Sequence, residues 1–127
     1  MDSENIKKIP QDLQAERAVL GCVLIDNNSI SDILEYISAE HFYDNNNKII
    51  FKAMLDLYDK STPIDNVNLT DQLKKTNQLE KVGGSYYITG LSQEAPSVSN
   101  AESYSKIIRD KYILRVIIDT SGKMNSL

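Results

Sequence analysis

Apolar residues recur at three- and four-residue steps along almost the whole of this 127-residue chain, and that period confines it to helices. Leu13, Ala18, Leu20, Val23 and Leu24 keep the step after Pro10, and Asp12 is placed to cap a helix running to Ile25. Asn27-Asn28 interrupts it. Either Asn28 or Ser29 can start the next helix, where Ile30, Ile33, Leu34 and Ile37 form one stripe, and Ser38 can cap a further turn through SAEHFY. The clearest amphipathic run is Asp44 to Tyr58. Ile50, Ala53, Met54 and Leu57 share a face that Phe51, Leu55 and Tyr58 widen, which predicts the central helix of the core. Pro63 ends it by disfavouring helical geometry in Thr62. Asp65 or Asn66 then starts a helix with Val67, Leu69 and Leu73, ending near Asn77. Gly83-Gly84 permits a tight turn, and SYYITGLSQEA supplies a short helix with Tyr87, Ile88 and Leu91 inward, closed by Pro96.

The last segment departs from this pattern. A helix starting at Ser99 or Asn100 carries Tyr104, Ile107, Ile108, Leu114, Ile117 and Ile118, and Tyr112, Ile113 and Val116 spread the apolar surface over more than one face. Such a helix needs partners on more than one side. Its charge differs as well. Residues 101 to 127 hold five Lys/Arg and three acids, a balance of +2, which leaves nine cations and fifteen acids, −6, for the first 100 residues of a chain whose net charge is −4. The chain therefore divides into a flexible N-terminus (1–9), a globular all-α domain (10–98) and a terminal helical segment (99–127).

Residue chemistry narrows the function classes. The lone Cys22 cannot make an internal disulfide, and with the lone His41 it cannot build a zinc site of several histidines or cysteines. Cys22 stands mid-helix, where a small buried thiol is the plain reading. His41 has no serine or cysteine partner assignable to it as a general base. The glycines at 21, 83, 84, 90 and 122 fit neither a GxxxxGK[ST] phosphate loop nor GxGxxG. Tyr86 and Tyr87 could stack on bases, but the acidic body would repel a phosphate backbone. The most cationic stretch, KIIRDKYILR, interleaves its cations with bulky apolar residues, the pattern of a packing or assembly helix with a basic rim. No catalytic, cofactor or metal site is expected. The polar start MDSENIKKIPQDLQ lacks the apolar run of a signal peptide and no stretch is long enough to span a membrane, which predicts a soluble cytoplasmic protein.

Five landmarks occur in order: PQDLQAERAVLGCVLID, HFYDNNNKIIFKAMLDLY, TPIDNVNLTDQL, LEKVGGSYYITGL and APSVSNAESYSKIIRDKYILR. Together, over about residues 9 to 118, they resemble the N-terminal domain of the bacterial replicative DNA helicase, the DnaB family. The resemblance rests on Pro10, Leu13, Ala15-Glu16 and Ala18-Val19-Leu20-Gly21, then the aromatic pair with its helix, Pro63-Ile64-Asp65, Val82-Gly83-Gly84, and the proline, Asn-Ala and Tyr before a long helix.

The resemblance implies a fragment of a longer protein. The family's RecA-like motor, with its phosphate loop, ATP and magnesium sites and DNA-contacting loops, would lie outside this chain. The domain itself would form the collar of a hexameric ring, a trimer of dimers paired through a helical hairpin, receiving primase and possibly a helicase loader. The helix from Ser99 would then be the first arm of that hairpin. Tyr104, Ile107, Ile108, Lys111, Leu114 and Ile118 are the candidates for self-association or primase docking, with Arg109 and Arg115 as rim contacts. For each of the six, packing on the chain's own body competes. Rival readings are the helicase-binding domain of primase, similar in fold but lacking the AVLG and VGG landmarks, and a small helical DNA-binding regulator, which the −6 body disfavours. A free-standing enzyme comes last.

Overall fold

The computed structural model describes residues 9–125, with side chains to residue 122, so the flexible stretch expected over 1–9 falls, Ile9 apart, outside the described residues. The described residues form six α-helices and no strand: α1 (Leu13–Ile25), α2 (Ser29–Leu34), α3 (Asn45–Asp59), α4 (Asn66–Lys75), α5 (Gly84–Leu91) and α6 (Ala101–Asn125). Short 3₁₀ turns precede α3, follow α5 and lead into α6.

Three aspartates start helices as their positions require. Asp12, Asp44 and Asp65 accept hydrogen bonds from the backbone N–H of Ala15, Asn46 and Asn68. Two helices end in left-handed residues, Ser61 (φ 56°) and Asn77 (φ 57°). In each, the following N–H reaches back into the last turn, Thr62 to the Leu57 carbonyl at 2.9 Å and Gln78 to the Leu73 carbonyl at 2.8 Å. The stop after α3 is thus made at Ser61, before Pro63 acts.

The central helix is α1, where the hydrophobic period had favoured α3. From Ala15 to Val23 only Arg17 escapes burial, and α1 touches α2, α3, α5 and α6. Its small residues hide this role from a reading based on bulk: Ala15, Ala18, Gly21 and Cys22 let other helices come close. At Gly21 a Cβ would fall on the Leu91 carbonyl oxygen at the end of α5. α6 runs back antiparallel along α1, with Ser97 beside Cys22 at one end and Arg115 beside Pro10 at the other. Within α3, Ile50, Phe51 and Met54 are fully enclosed, Phe51 lying 5.0 Å from the Phe42 ring. Tyr58, Leu34 and Val67 were expected inward and instead face solvent, because the inward arc of each helix is narrower than its apolar stripe.

Two polar clasps fix the helices' order. Asn27 accepts the Ile64 N–H (2.7 Å) and donates to the Ile64 and Val23 carbonyls (2.8 Å each), pinning the lead-in to α4 against the end of α1. The buried Glu16 carboxylate accepts the Tyr43 N–H (2.7 Å), the Asp44 N–H (3.3 Å) and Asn47 Nδ2 (3.0 Å) at the positive end of α3. Asn47 in turn accepts the Tyr87 hydroxyl at 2.7 Å, which brings in α5.

Candidate assembly surface on the terminal helix

α6 begins at Ala101, after the 3₁₀ turn at 98–100, slightly later than the expected Ser99 or Asn100. Ala101, Ser105 and Ile108 face the body and are buried, the Ser105 hydroxyl donating to the Ala101 carbonyl at 2.8 Å. Glu102 pairs with Lys106 at 3.0 Å, and Lys106 and Arg109 lie over the Tyr36 ring of the α2 region at 5.3 and 5.4 Å. Hydrogen bonding to Lys106, then to Tyr36, holds the Glu102 carboxyl below its usual range, and the Glu102 contact pushes the Tyr36 phenol up.

The structure divides the expected site residues. Ile107, Lys111, Leu114 and Ile118 follow each other at i, i+4, i+7 and i+11 and so share one stripe along α6. Ile107, Leu114 and Ile118 on that stripe are 36%, 45% and 49% exposed, and Lys111 is half-buried. Tyr104 packs against the core and Ile108 is enclosed in it, so both serve the body. Arg109 rests on Tyr36, and Arg115, expected at the rim, turns inward to the Pro10 and His41 carbonyls at 2.8 Å each. Ile113, Val116 and Ile117 stood outside the expected set, yet they are about half exposed and extend the apolar surface around the helix. Their signal was the all-round apolar character of the segment. Beside the Ile107 end of the stripe, a groove of about 160 Å³ opens between Asp12, Ala15, Ala18, Pro96, Tyr104 and Ile107. That volume is below the few hundred Å³ of a small-molecule pocket and suits a side chain.

The remaining candidates for chemistry resolve into structure. Cys22 is fully enclosed, and burial pushes its thiol up to about 11, the opposite of activation. His41 Nδ1 accepts the Ser38 N–H at 3.0 Å as part of a capping box. The Gly83 and Gly84 amides donate within the turn, to the Glu80 carbonyl at 3.2 Å and the Leu79 carbonyl at 2.8 Å. With those amides engaged and the Glu80 carboxylate nearest to Gly84, the turn does not fit a nucleotide phosphate. Among the described residues no group of three His, Cys, Asp or Glu converges on a metal position, and no helix is long and apolar enough to cross a membrane.

These features define a class: an all-helical domain whose packed body carries a long terminal helix with an uncovered apolar surface. A family model described as the DnaB-like helicase N terminal domain matches residues 8–110. The replicative DNA helicase DnaC of Bacillus subtilis (strain 168) is 37% identical over 120 residues, 94% of this chain and 26% of that protein. A crystal structure of the N-terminal domain of DnaB helicase from Mycobacterium tuberculosis superposes with a TM-score of 0.91 at 32% identity, covering 94% of this chain and 86% of that one. The N-terminal domain of DnaB helicase from Helicobacter pylori, at 21% identity and a TM-score of 0.77 over 89% of this chain and 88% of that one, shares the fold. The chain belongs to the family of DnaB-like helicase N-terminal domains, and it spans about a quarter or less of the length of the curated relatives it matches. That membership sets aside the primase-domain and DNA-binding-regulator readings.

Proposed function

We propose that this chain is the N-terminal collar and assembly domain of a hexameric, ATP-dependent replicative DNA helicase, pairing with further copies of itself and docking primase during replication in the cytoplasm. The observation that carries this reading is the uncovered apolar surface from Ile113 to Ile118 on α6, in a member of this family. Support for primase comes from the Helicobacter pylori neighbour, which was described together with its interactions with primase. Unwinding, ATP, magnesium and most of the DNA contact would belong to the roughly three quarters of the relatives' length that this chain does not span, and a helicase loader is a further partner of the whole.

The mechanism is differential contact. In a two-fold pair the α6 surfaces of two copies would meet, the first step towards a trimer of dimers, with a second arm of the hairpin adding area. Ile113, Leu114, Val116, Ile117 and Ile118 are each about half exposed. They span roughly 200° of the helix, so a two-fold contact covers one face, Ile107, Leu114, Ile117 and Ile118, and regains about 1 kcal/mol for each, or roughly 8 kcal/mol for the symmetric pair. Subtracting an association cost of at least about 4 kcal/mol leaves a dissociation constant no tighter than about 1 mM for the single contact. A ring multiplies such weak contacts through effective concentration, and does the same for primase bound at several collars.

Sedimentation equilibrium across that concentration range tests the pairing. The chain is expected to self-associate reversibly, and the double variant Leu114→Glu with Ile118→Glu to stay monomeric with unchanged circular dichroism. Titration with purified primase tests the docking. A chain that stays monomeric throughout and takes up no primase would sink the proposal.

A further inference from the structure

We infer that Arg115 is the positioning residue that sets the direction in which α6 leaves the body. Its guanidinium donates through Nη1 to the Pro10 carbonyl and through Nη2 to the His41 carbonyl, both at 2.8 Å. The Tyr43 ring lies 5.3 Å from its central carbon and the Tyr112 ring 5.6 Å. One side chain thus ties α6 to the stretch leading into α1, 105 residues away, and to the 3₁₀ turn at 39–41, 74 residues away. The His41 end is itself held, because Nδ1 takes the Ser38 N–H at 3.0 Å and the ring packs on Tyr112 at 4.4 Å. Two carbonyls on separate segments match the planar fork of a guanidinium, whereas an ammonium is a point donor that cannot span them with the same geometry.

The clamp stands where it matters for direction. Ile108 is the last side chain of α6 within the core, and every described side chain from Val116 to Gly122 is exposed. Without Arg115 the last anchor of α6 on the body is Tyr112 against the His41 ring. Ser121 lies about 14 Å from Tyr112 at the rise of an α-helix, and a bend of about 20° swings it by roughly 5 Å. The inference concerns the course of α6 and holds whatever α6 binds.

Spin labels on Lys52→Cys and Ser121→Cys report the distance from α3 to the far part of α6. The buried Cys22 stays unlabelled, and an excess of unlabelled chain removes signals between copies. With Arg115 present, one narrow distance distribution is expected. Arg115→Ala and Arg115→Lys are expected to broaden it and shift its mean by up to roughly 5 Å while the helical circular dichroism is retained. Arg109→Ala removes a cation over Tyr36 and touches neither carbonyl, so it is expected to leave the distribution in place. A purely structural role would lower the melting temperature and leave the distribution of the folded molecules unmoved. Unchanged distributions in the Arg115 variants, or equal broadening in Arg109→Ala, would overturn the assignment; if Arg115→Ala does not fold, Arg115→Lys decides it.

Discussion

Replacing Glu16 by glutamine changes one atom and tests the clasp between α1 and α3. One carboxylate oxygen, Oε2, accepts the Tyr43 N–H at 2.7 Å, and the other, Oε1, accepts the Asp44 N–H at 3.3 Å and Asn47 Nδ2 at 3.0 Å. Glutamine keeps the volume but offers a single acceptor oxygen. In either amide orientation at least one of these donors faces another donor, with no water to turn to because the side chain is 1% exposed. Each hydrogen bond to a charged group is worth about 1.5–3 kcal/mol, and a buried donor left without an acceptor costs about 1–3 kcal/mol. The expected loss for Glu16→Gln is therefore about 3 kcal/mol, or roughly 10 °C of melting temperature for a chain of this size. Urea and thermal unfolding followed by far-ultraviolet circular dichroism measure it. Tyr87→Phe removes the outermost link of the same network and is expected to cost about 1 kcal/mol alone. Combined with Glu16→Gln it should be non-additive, since both act through Asn47. A Glu16→Gln loss within about 0.5 kcal/mol, the range of an ordinary surface change, or strict additivity with Tyr87→Phe, would refute the reasoning.

Three further outcomes follow from α1. Gly21→Ala drives a methyl into the Leu91 carbonyl, so α5 must move away, and an overpacking cost of about 2 kcal/mol or more is expected in the same unfolding assay. The Cys22 thiol should react with iodoacetamide only at the rate of unfolding. Because the folded thiol keeps its proton up to about 11 while an exposed one releases it near 9.0, the unfolded state binds fewer protons between these values. Stability should therefore fall as pH rises through that window, more steeply than in Cys22→Ala.

Local chemistry was legible in the sequence, and chemistry between distant segments was not. Asp12, Asp44 and Asp65 cap their helices because capping is decided within three residues of the cap. The partners of Glu16 lie 27 to 31 positions away, and the Ile64 partner of Asn27 lies 37 away, beyond the reach of any periodicity. Period finds a helix but misjudges how wide its inward arc is, hence Val67 and Tyr58 facing solvent. The same divide runs through α6. Its apolar excess announced a surface in need of cover, and Leu114 and Ile118 lie on it. That Tyr104 and Ile108 serve the body, and that Arg115 turns inward, depends on where α1 lies beneath them.

The small residues of α1 act as a gauge block for the whole domain. At Ala15, Ala18 and Gly21 the side chains are already at or near the minimum size, so every substitution there other than alanine to glycine adds volume. Mutation can widen the spacing between α1 and its neighbours and can hardly narrow it. Errors in this helix therefore have a sign: they push α5 and α6 outward. A chain that must present one helix at a fixed pitch gains a tolerance limit on one side from that choice, and the other side is left to contacts made at the helix's far end.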